Sequence, residues 1–418
     1  MTRTLDVYFG NRKAGVLTQD EGGALSFAYA PTYLGEPQAR AISYSMPLRE
    51  QPFADRVARP FFSGLLPDEG ARRRLATALG ISADNPFGLL GIIGGDCAGA
   101  LSLYPAGREP LSPSDADIEM LDETRLADLV ARLRERPLLA GEPGIRLSLA
   151  GAQDKLAVCV TDDGIGIAKG GAPTTHILKP FIPALDGTVE NELFCLRLAA
   201  QMQFAAPAAQ MRRVGDVSFL LVQRYDRTKQ GGIVSRLHQE DFCQALSVPP
   251  ELKYEQEGGP GTARCLALID HACGRPAADR LDFTRRLIFQ YLVGNADAHA
   301  KNYALLYRDT APDLAPLYDV LCTAVYPGID QRLAMKIGER SVPDTIRLQD
   351  WSSLVHHGRA AQRMLVKELG EFATRIGTAT DALLKEFSET GISHPVLRRV
   401  RKVIEARRAH LLKITEDA

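Results

Sequence analysis

The chain has 418 residues, 45% of them hydrophobic and 24% charged, with a formal net charge of −1. That composition supports a large folded core and excludes a disordered chain. The neutral balance gives no global reason to expect nucleic acid or membrane as the main partner, so any such contact would come from a local patch. The seven cysteines are scattered and never spaced C-x-x-C, which reads as reduced, buried thiols and not as a disulfide framework or zinc site. The N-terminus MTRTLDVYFGNRK has no apolar h-region, and no run approaches the roughly 20 apolar residues that span a bilayer. A cytoplasmic protein without a membrane partner is expected.

Residues 4 to 30 alternate in short apolar pieces, LDVYF, AGVL and ALSFAYA, punctuated by Gly10-Asn11 and Gly22-Gly23. This predicts a small antiparallel sheet. PFFSGLLPDEGARRRLATALGI predicts a helix, with Asp68 and Glu69 early and Gly80 at its end. The glycines of NPFGLLGIIGGDCAGALSLYP do not fit G-x-G-x-x-G, so a short helix and a turn into a strand is the better reading. Pro105 to Pro113 forms a turn-rich connector. Ser114 to Leu139 predicts a helix from the spacing of Ile118, Leu121, Leu126, Leu129, Val130 and Leu133.

The break AGEPG at 140–144 places the main domain boundary. Ile145 to about Arg227 returns to strands (KLAVCVTDDG, IGIAKG, THILKP, VSFLLVQRYDR) around one helix, ENELFCLRLAAQM. Helix dominates afterwards. The expected organisation is α+β, with a β-rich domain and connecting helix over 1–140, a β-rich lobe over 145–227 and a helical lobe over 228–418.

The stretch GNADAHAKNYALLY, Gly294 to Tyr307, sets polar groups between apolar segments. Its Asp297 and Asn302 have the Asp-x-x-x-x-Asn separation of the protein-kinase catalytic loop. There, a carboxylate handles the proton of the attacking hydroxyl, and a short amide about a turn later ligates Mg²⁺ without adding charge. Lys301 could lie along the transferring phosphate, and His299 would shape the loop through backbone hydrogen bonds. Taken alone, the stretch equally describes a capped helix-to-strand turn. Asp319 in LAPLYDVLCT sits among apolar residues, where an unpaired carboxylate is costly to bury and a metal would relieve it.

Lys179, ending THILKP, could neutralise phosphates. Glu190 and Glu192 follow on the next helix as candidate partners, with Glu192 preferred. The small-residue loop Ser148 to Lys155, with Ala150, Gly151, Ala152 and Gln153, enters a strand but is neither a Walker A motif nor a kinase glycine-rich loop. Gln223 and Tyr225 end a buried-looking strand where a hinge could meet adenine. The C-terminal LRRVRKVIEARRAHLLK puts Leu397, Val400, Ile404 and Leu411 on one face. Its basic outer face could meet phosphate, although a solvated face fits the neutral net charge better.

Together SLAGAQDKLAV, THILKP, VQRYDR, HQEDFCQALSVPPELKYEQEGGP, GNADAHAKNYALLY and LAPLYDV resemble the HipA family of bacterial serine/threonine protein kinases, toxins of toxin–antitoxin modules. The resemblance covers nearly the whole chain. It implies a two-lobed protein-kinase-like fold with an extra N-terminal β-rich domain and a mainly helical C-terminal lobe. It implies ATP and Mg²⁺ as cofactors, Asp297 as catalytic base, and Asn302 and Asp319 as metal ligands. Lys179 and the loop around Gly151, Ala152 and Gln153 would hold phosphates, and Gln223 to Tyr225 would give hinge contacts.

Ser148 matches the family's autophosphorylated serine, where about −1.5 to −2 charge would expel the loop and switch the kinase off. Implied partners are a small helix-turn-helix, HipB-like antitoxin, operator DNA through the antitoxin complex, and a protein substrate such as an aminoacyl-tRNA synthetase. Two competing readings are a small-molecule kinase of the aminoglycoside- or choline-kinase type, and a pseudokinase that acts only as a co-repressor.

Overall fold

The computed structural model describes residues 2–110, 118–133, 137–139, 145–169, 172–231, 233–308 and 311–416. They form two compact units. The first comprises Met1–Pro180, Arg212–Glu251 and Ala304–Pro312, and the second Phe181–Met211, Leu252–Tyr303 and Asp313–Ala418.

In the first unit, β1 (Arg3–Phe9), β2 (Arg12–Gln19), β3 (Leu25–Tyr29) and β4 (Leu101–Pro105) make a sheet of order β3-β2-β1-β4, antiparallel along β3-β2-β1 as the alternation predicts. Leu25, Phe27 and Tyr29 point into the core while Ser26 and Ala28 are half-buried, the period-2 pattern of a strand with one packed face. The segment expected as one helix is two, Asp55–Gly64 and Glu69–Leu79. Pro67 has no N–H to continue the first, and Asp68 is extended at the start of the second. The second helix ends at Gly80, in the left-handed conformation that suits glycine.

A second sheet joins β5 (Ile118–Met120), β6 (Leu156–Thr161), β7 (Gly164–Ala168), β8 (His176–Pro180), β9 (Ala209–Val214) and β10 (Val217–Gln223) in the order β5-β7-β6-β8-β10-β9. The helix predicted over Ser114–Leu139 is shorter. Ile118–Met120 instead pairs antiparallel with β7, and the helix spans Glu123–Arg132, started by Asp122, whose carboxylate accepts from Arg125 N–H at 2.8 Å. The boundary signal at 140–144 lies outside the described residues.

One hydrophobic core runs through both sheets, from Leu5, Val7, Phe27, Phe61 and Phe62 to Leu147, Leu156, Val158, Leu178, Phe219 and Leu221. Residues on both sides of the expected boundary, in 1–139 and in 145–227, thus contribute to one interior of the first unit. The hairpin β11 (Arg227–Gln230) and β12 (Ile233–Arg236) and the antiparallel pair β13 (His238–Asp241) and β14 (Ala304–Tyr307) also belong to this unit.

A buried ion cluster reinforces the join. The Asp96 carboxylate meets Arg227 at 2.8 Å, Arg236 at 3.0 Å and Arg224 at 3.3 Å, and accepts from Thr174 Oγ1 at 2.7 Å. Asp226 pairs with Arg224 at 2.8 Å and accepts from Gly99 N–H at 2.7 Å. The arginines hold both carboxyl groups well below the usual carboxylate range, against the opposing effect of burial.

The second unit is mainly helical, with Thr188–Gln201, Thr262–Ala272, Pro276–Val293, Arg359–Glu389 and Pro395–Glu416 as its longer helices. Leu397, Val400, Ile404 and Leu411 are buried, as their spacing predicts. The basic residues of that last helix are largely engaged: Arg399 with Asp186, Arg401 with Asp381, Arg407 with Asp344 and Arg408 with Glu405. All seven cysteines are free thiols in buried positions. Among the described residues no helix is long and apolar enough to cross a membrane.

Candidate active site

In the second unit, helix Pro276–Val293 stops at Gly294, whose φ of 71° is left-handed. A Cβ there would lie 2.5 Å from Val403 and 3.0 Å from Ala324, so both conformation and space require glycine. The polar residues that follow hold one another. Asn295 donates to Gln290 Oε1 at 2.9 Å, and its own Oδ1 accepts from Asp297 N–H at 3.0 Å. The Thr323 hydroxyl accepts from Ala296 N–H at 2.8 Å and donates to the Gly294 carbonyl. Asn302 Nδ2 donates to the Asp297 carbonyl at 3.0 Å, and His299 N–H donates to the same oxygen at 2.8 Å. The backbone of Asp297 is thus fixed on both sides while its side chain is exposed. Asn302 and Lys301 are buried, and so is His299, whose N–H and carbonyl are both hydrogen-bonded within the loop.

Asp319 has φ 56°, a left-handed conformation in a residue that carries a Cβ. Its neighbour ties it to the loop, since Tyr318 OH donates to the Lys301 carbonyl at 2.6 Å. Beyond it, Asn191 of helix Thr188–Gln201 clasps Cys322 through both backbone groups, each at 3.0 Å, and also donates to Tyr326 OH at 3.1 Å. Sequence reasoning weighed Glu190 and Glu192 on that helix and missed Asn191 between them. A signal existed: an amide within an apolar helical run needs a buried partner. Glu192 is buried and Glu190 half-exposed.

Among the described residues no cluster of three or more His, Cys, Asp or Glu side chains could hold a metal. Mg²⁺ held by one carboxylate and one amide, Asp319 and Asn302, would take its remaining ligands from water and substrate phosphates.

The remaining candidates belong to the first unit. Ser148 is fully buried, with its hydroxyl donating to the Leu65 carbonyl at 2.7 Å and its N–H to the Asp96 carbonyl at 3.0 Å. Gly151 has φ 106°, and its carbonyl accepts from Asp68 N–H at 3.1 Å. Lys155 Nζ donates to the Ala150 carbonyl at 2.7 Å and would lie 2.3 Å from a Cβ at Gly151, so the lysine props the loop and the glycine makes room for it. Gln153 donates to the carbonyl of Pro180, next to the buried Lys179 on β8. Gln223 is exposed at the end of β10, and Tyr225 OH is bonded to Gln239. The structure therefore gathers Asp297, Lys301, Asn302 and Asp319 in one unit, and Ser148, Gly151, Ala152, Gln153, Lys155, Lys179, Gln223 and Tyr225 in the other.

Comparison with known proteins identifies the family. Residues 5–104 match the family model of the HipA N-terminal domain, and residues 147–384 that of the HipA-like C-terminal domain. The Sinorhizobium fredii protein Y4mE is 41% identical over 391 residues, covering 93% of each chain. The serine/threonine-protein kinase toxin HipA of Shewanella oneidensis is 29% identical over 400 residues, covering 90% of this chain and 88% of its own. A solved Shewanella oneidensis HipA, in complex with HipB and operator DNA, superposes with a TM-score of 0.81 at 26% identity, over 99% of this chain and 97% of its own. Both halves of the sequence and the fold lead to one conclusion: the chain belongs to the HipA family.

Proposed function

We propose that the chain is a Mg²⁺- and ATP-dependent serine/threonine protein kinase and the toxin of a HipA/HipB-like module in the bacterial cytoplasm. The observation that carries this is the exposed Asp297 carboxylate on a backbone locked by Asn295 and Asn302, with the left-handed Asp319 tied to the same loop through Tyr318. Asp297 takes the proton of the acceptor hydroxyl as its oxygen bonds to the γ-phosphorus and the bond to ADP breaks. Lys179, Lys301 and the loop from Gly151 through Lys155 hold phosphate oxygens, and the backbone of Gln223 to Tyr225 holds adenine. Mg²⁺ on Asn302 and Asp319 would neutralise the charge developing on the phosphates.

Ser148 is the autophosphorylation site in this reading. Its buried hydroxyl leaves no room for a phosphate, so modification requires residues around 148 to leave their dock on Leu65. The partners are a small helix-turn-helix antitoxin, operator DNA through that antitoxin, and a translation-related protein such as an aminoacyl-tRNA synthetase. The solved relative bound to HipB and operator DNA supports the first two.

The test is transfer of labelled phosphate by wild type, Asp297→Asn and Ser148→Ala, together with growth after induction with and without a co-expressed HipB-like antitoxin. Incorporation is expected to vanish in the first variant and to fall in the second. Equal labelling of wild type and Asp297→Asn would refute the assignment.

A further inference from the structure

Tyr254 lies between the short turns Pro250–Leu252 and Glu255–Glu257, in the same unit as Asp297. Its hydroxyl donates to Asp297 Oδ1 at 2.7 Å. The ring meets His299 edge-on, with centroids 5.2 Å apart, and the buried Lys253 holds its ammonium 5.3 Å from the ring centre.

This position is built in. The Tyr254 carbonyl accepts from Glu257 N–H and Gly259 N–H, closing the turn. A Cβ at Gly259 would lie 2.1 Å from the Leu252 carbonyl, so the turn admits only glycine there. Glu255 is anchored to one short strip: its N–H donates to the Ala334 carbonyl at 3.2 Å and its Oε2 accepts from Lys336 N–H at 2.6 Å. Ala334 N–H in turn donates to the carbonyl of Ala296, the residue before Asp297. Tyrosine and aspartate are thus referenced to the same backbone.

We propose that Tyr254 stands where the acceptor hydroxyl must stand: an internal occupant of the Asp297 carboxylate that an incoming serine or threonine displaces, which makes it a determinant of acceptor selection. This rests on the reading of Asp297 as the proton acceptor. A hydroxyl donating at 2.7 Å has the geometry demanded of a substrate facing its general base. An acceptor that binds only after the phenol leaves has its apparent affinity reduced by the fraction of enzyme in the open state. An acceptor with further contacts on the enzyme can meet that cost, whereas water and stray hydroxyl groups cannot.

The test is Tyr254→Phe, which keeps the ring against His299 and Lys253 and deletes only the hydroxyl. The readouts are ATP hydrolysis without acceptor, and transfer to a synthetic peptide of residues 143–155 of this chain. Losing one hydrogen bond to a charged group predicts a rise of roughly tenfold in hydrolysis, and a roughly tenfold lower KM for the peptide, with the change carried by KM and not kcat. Unchanged hydrolysis and KM, a fall in kcat alone, or phosphate found on Tyr254 by mass spectrometry would each overturn the proposal. Asp297→Asn separates the two levels. If it is inactive while Tyr254→Phe behaves as wild type, only the role of Tyr254 fails. If Asp297→Asn stays active, the base assignment fails and takes this inference with it.

Discussion

Replacing Asp319 by Gly, Ala and Asn separates backbone strain from metal binding. At ordinary backbone positions alanine is more stable than glycine by about 0.5–1 kcal/mol, because glycine loses more conformational freedom on folding. At φ 56° the left-handed conformation costs a residue with a Cβ about 1–2 kcal/mol. The second effect exceeds the first, so the usual order reverses and Asp319→Gly should be more stable than Asp319→Ala by about 0.5–1 kcal/mol. Asn tolerates this conformation as Asp does, so Asp319→Asn should stay near wild type in stability. For a unit of this size the Gly–Ala difference corresponds to roughly 1–4 °C in the melting transition. All three variants should lose at least about a hundredfold in Mg²⁺-dependent ATP turnover, since each removes the one carboxylate assigned to the metal. Thermal unfolding followed by circular dichroism, alongside a coupled ATPase assay, reads both effects. Alanine as stable as glycine would refute the strain argument, and wild-type turnover in Asp319→Asn would refute the metal assignment.

Burial raises the Glu240 carboxyl from 4.5 to about 7, despite bonds from Ser43 Oγ, Tyr44 N–H and Tyr307 OH. The folded state therefore binds the extra proton between those values. Its stabilising contribution is complete below about pH 4.5 and lost as pH rises through 7, by roughly 3 kcal/mol. Urea unfolding of Glu240→Gln across that range should show a flatter profile, and an unchanged slope would remove Glu240 as its source. Asp96→Asn leaves Arg224, Arg227 and Arg236 facing Asp226 with one carboxylate fewer, and should cost about 3–5 kcal/mol by urea unfolding; a loss below about 1 kcal/mol would show that the cluster relaxes. Ser148→Asp puts a carboxylate against the Leu65 carbonyl, so residues 147–155 should become rapidly hydrogen-exchanging and ATP affinity should fall, whereas Ser148→Ala should keep the loop docked. Equal exchange in the two variants would contradict this.

The elements legible in the sequence were those with local causes. The strands of residues 3–29 follow from alternation and turn glycines, and the last helix from its apolar spacing. Asp297 and Asn302 stand out by their Asp-x-x-x-x-Asn separation, and Asp319 as a lone carboxylate among apolar residues. What escaped depends on contacts between distant segments. Ile118–Met120 reads as helix by periodicity, yet it is a strand because β7 offers an edge to pair with. Asp96 appeared only within a glycine-rich run, and nothing nearby announces that arginines more than 120 residues later converge on it. Tyr254 lay in a segment noted for other reasons, and its bond to Asp297 spans 43 positions. Asn191 had a local signal, but its partner Cys322 is 131 residues away.

The continuous core of the first unit bears on how the protein can be cut. A minimal fragment beginning near residue 145 would keep the strand carrying Lys179 and every residue assigned to phosphate chemistry. It would also expose the faces of Leu156, Val158, Leu178, Phe219 and Leu221 that pack into the shared core. Arg224 and Arg227 would lose Asp96 and the Cys97 carbonyl together. Such a fragment is expected to aggregate on expression, and supplying residues 1–139 as a separate chain should rescue it by complementation. The first 139 residues thus act as a packing partner that the strands after residue 145 need in order to stay covered.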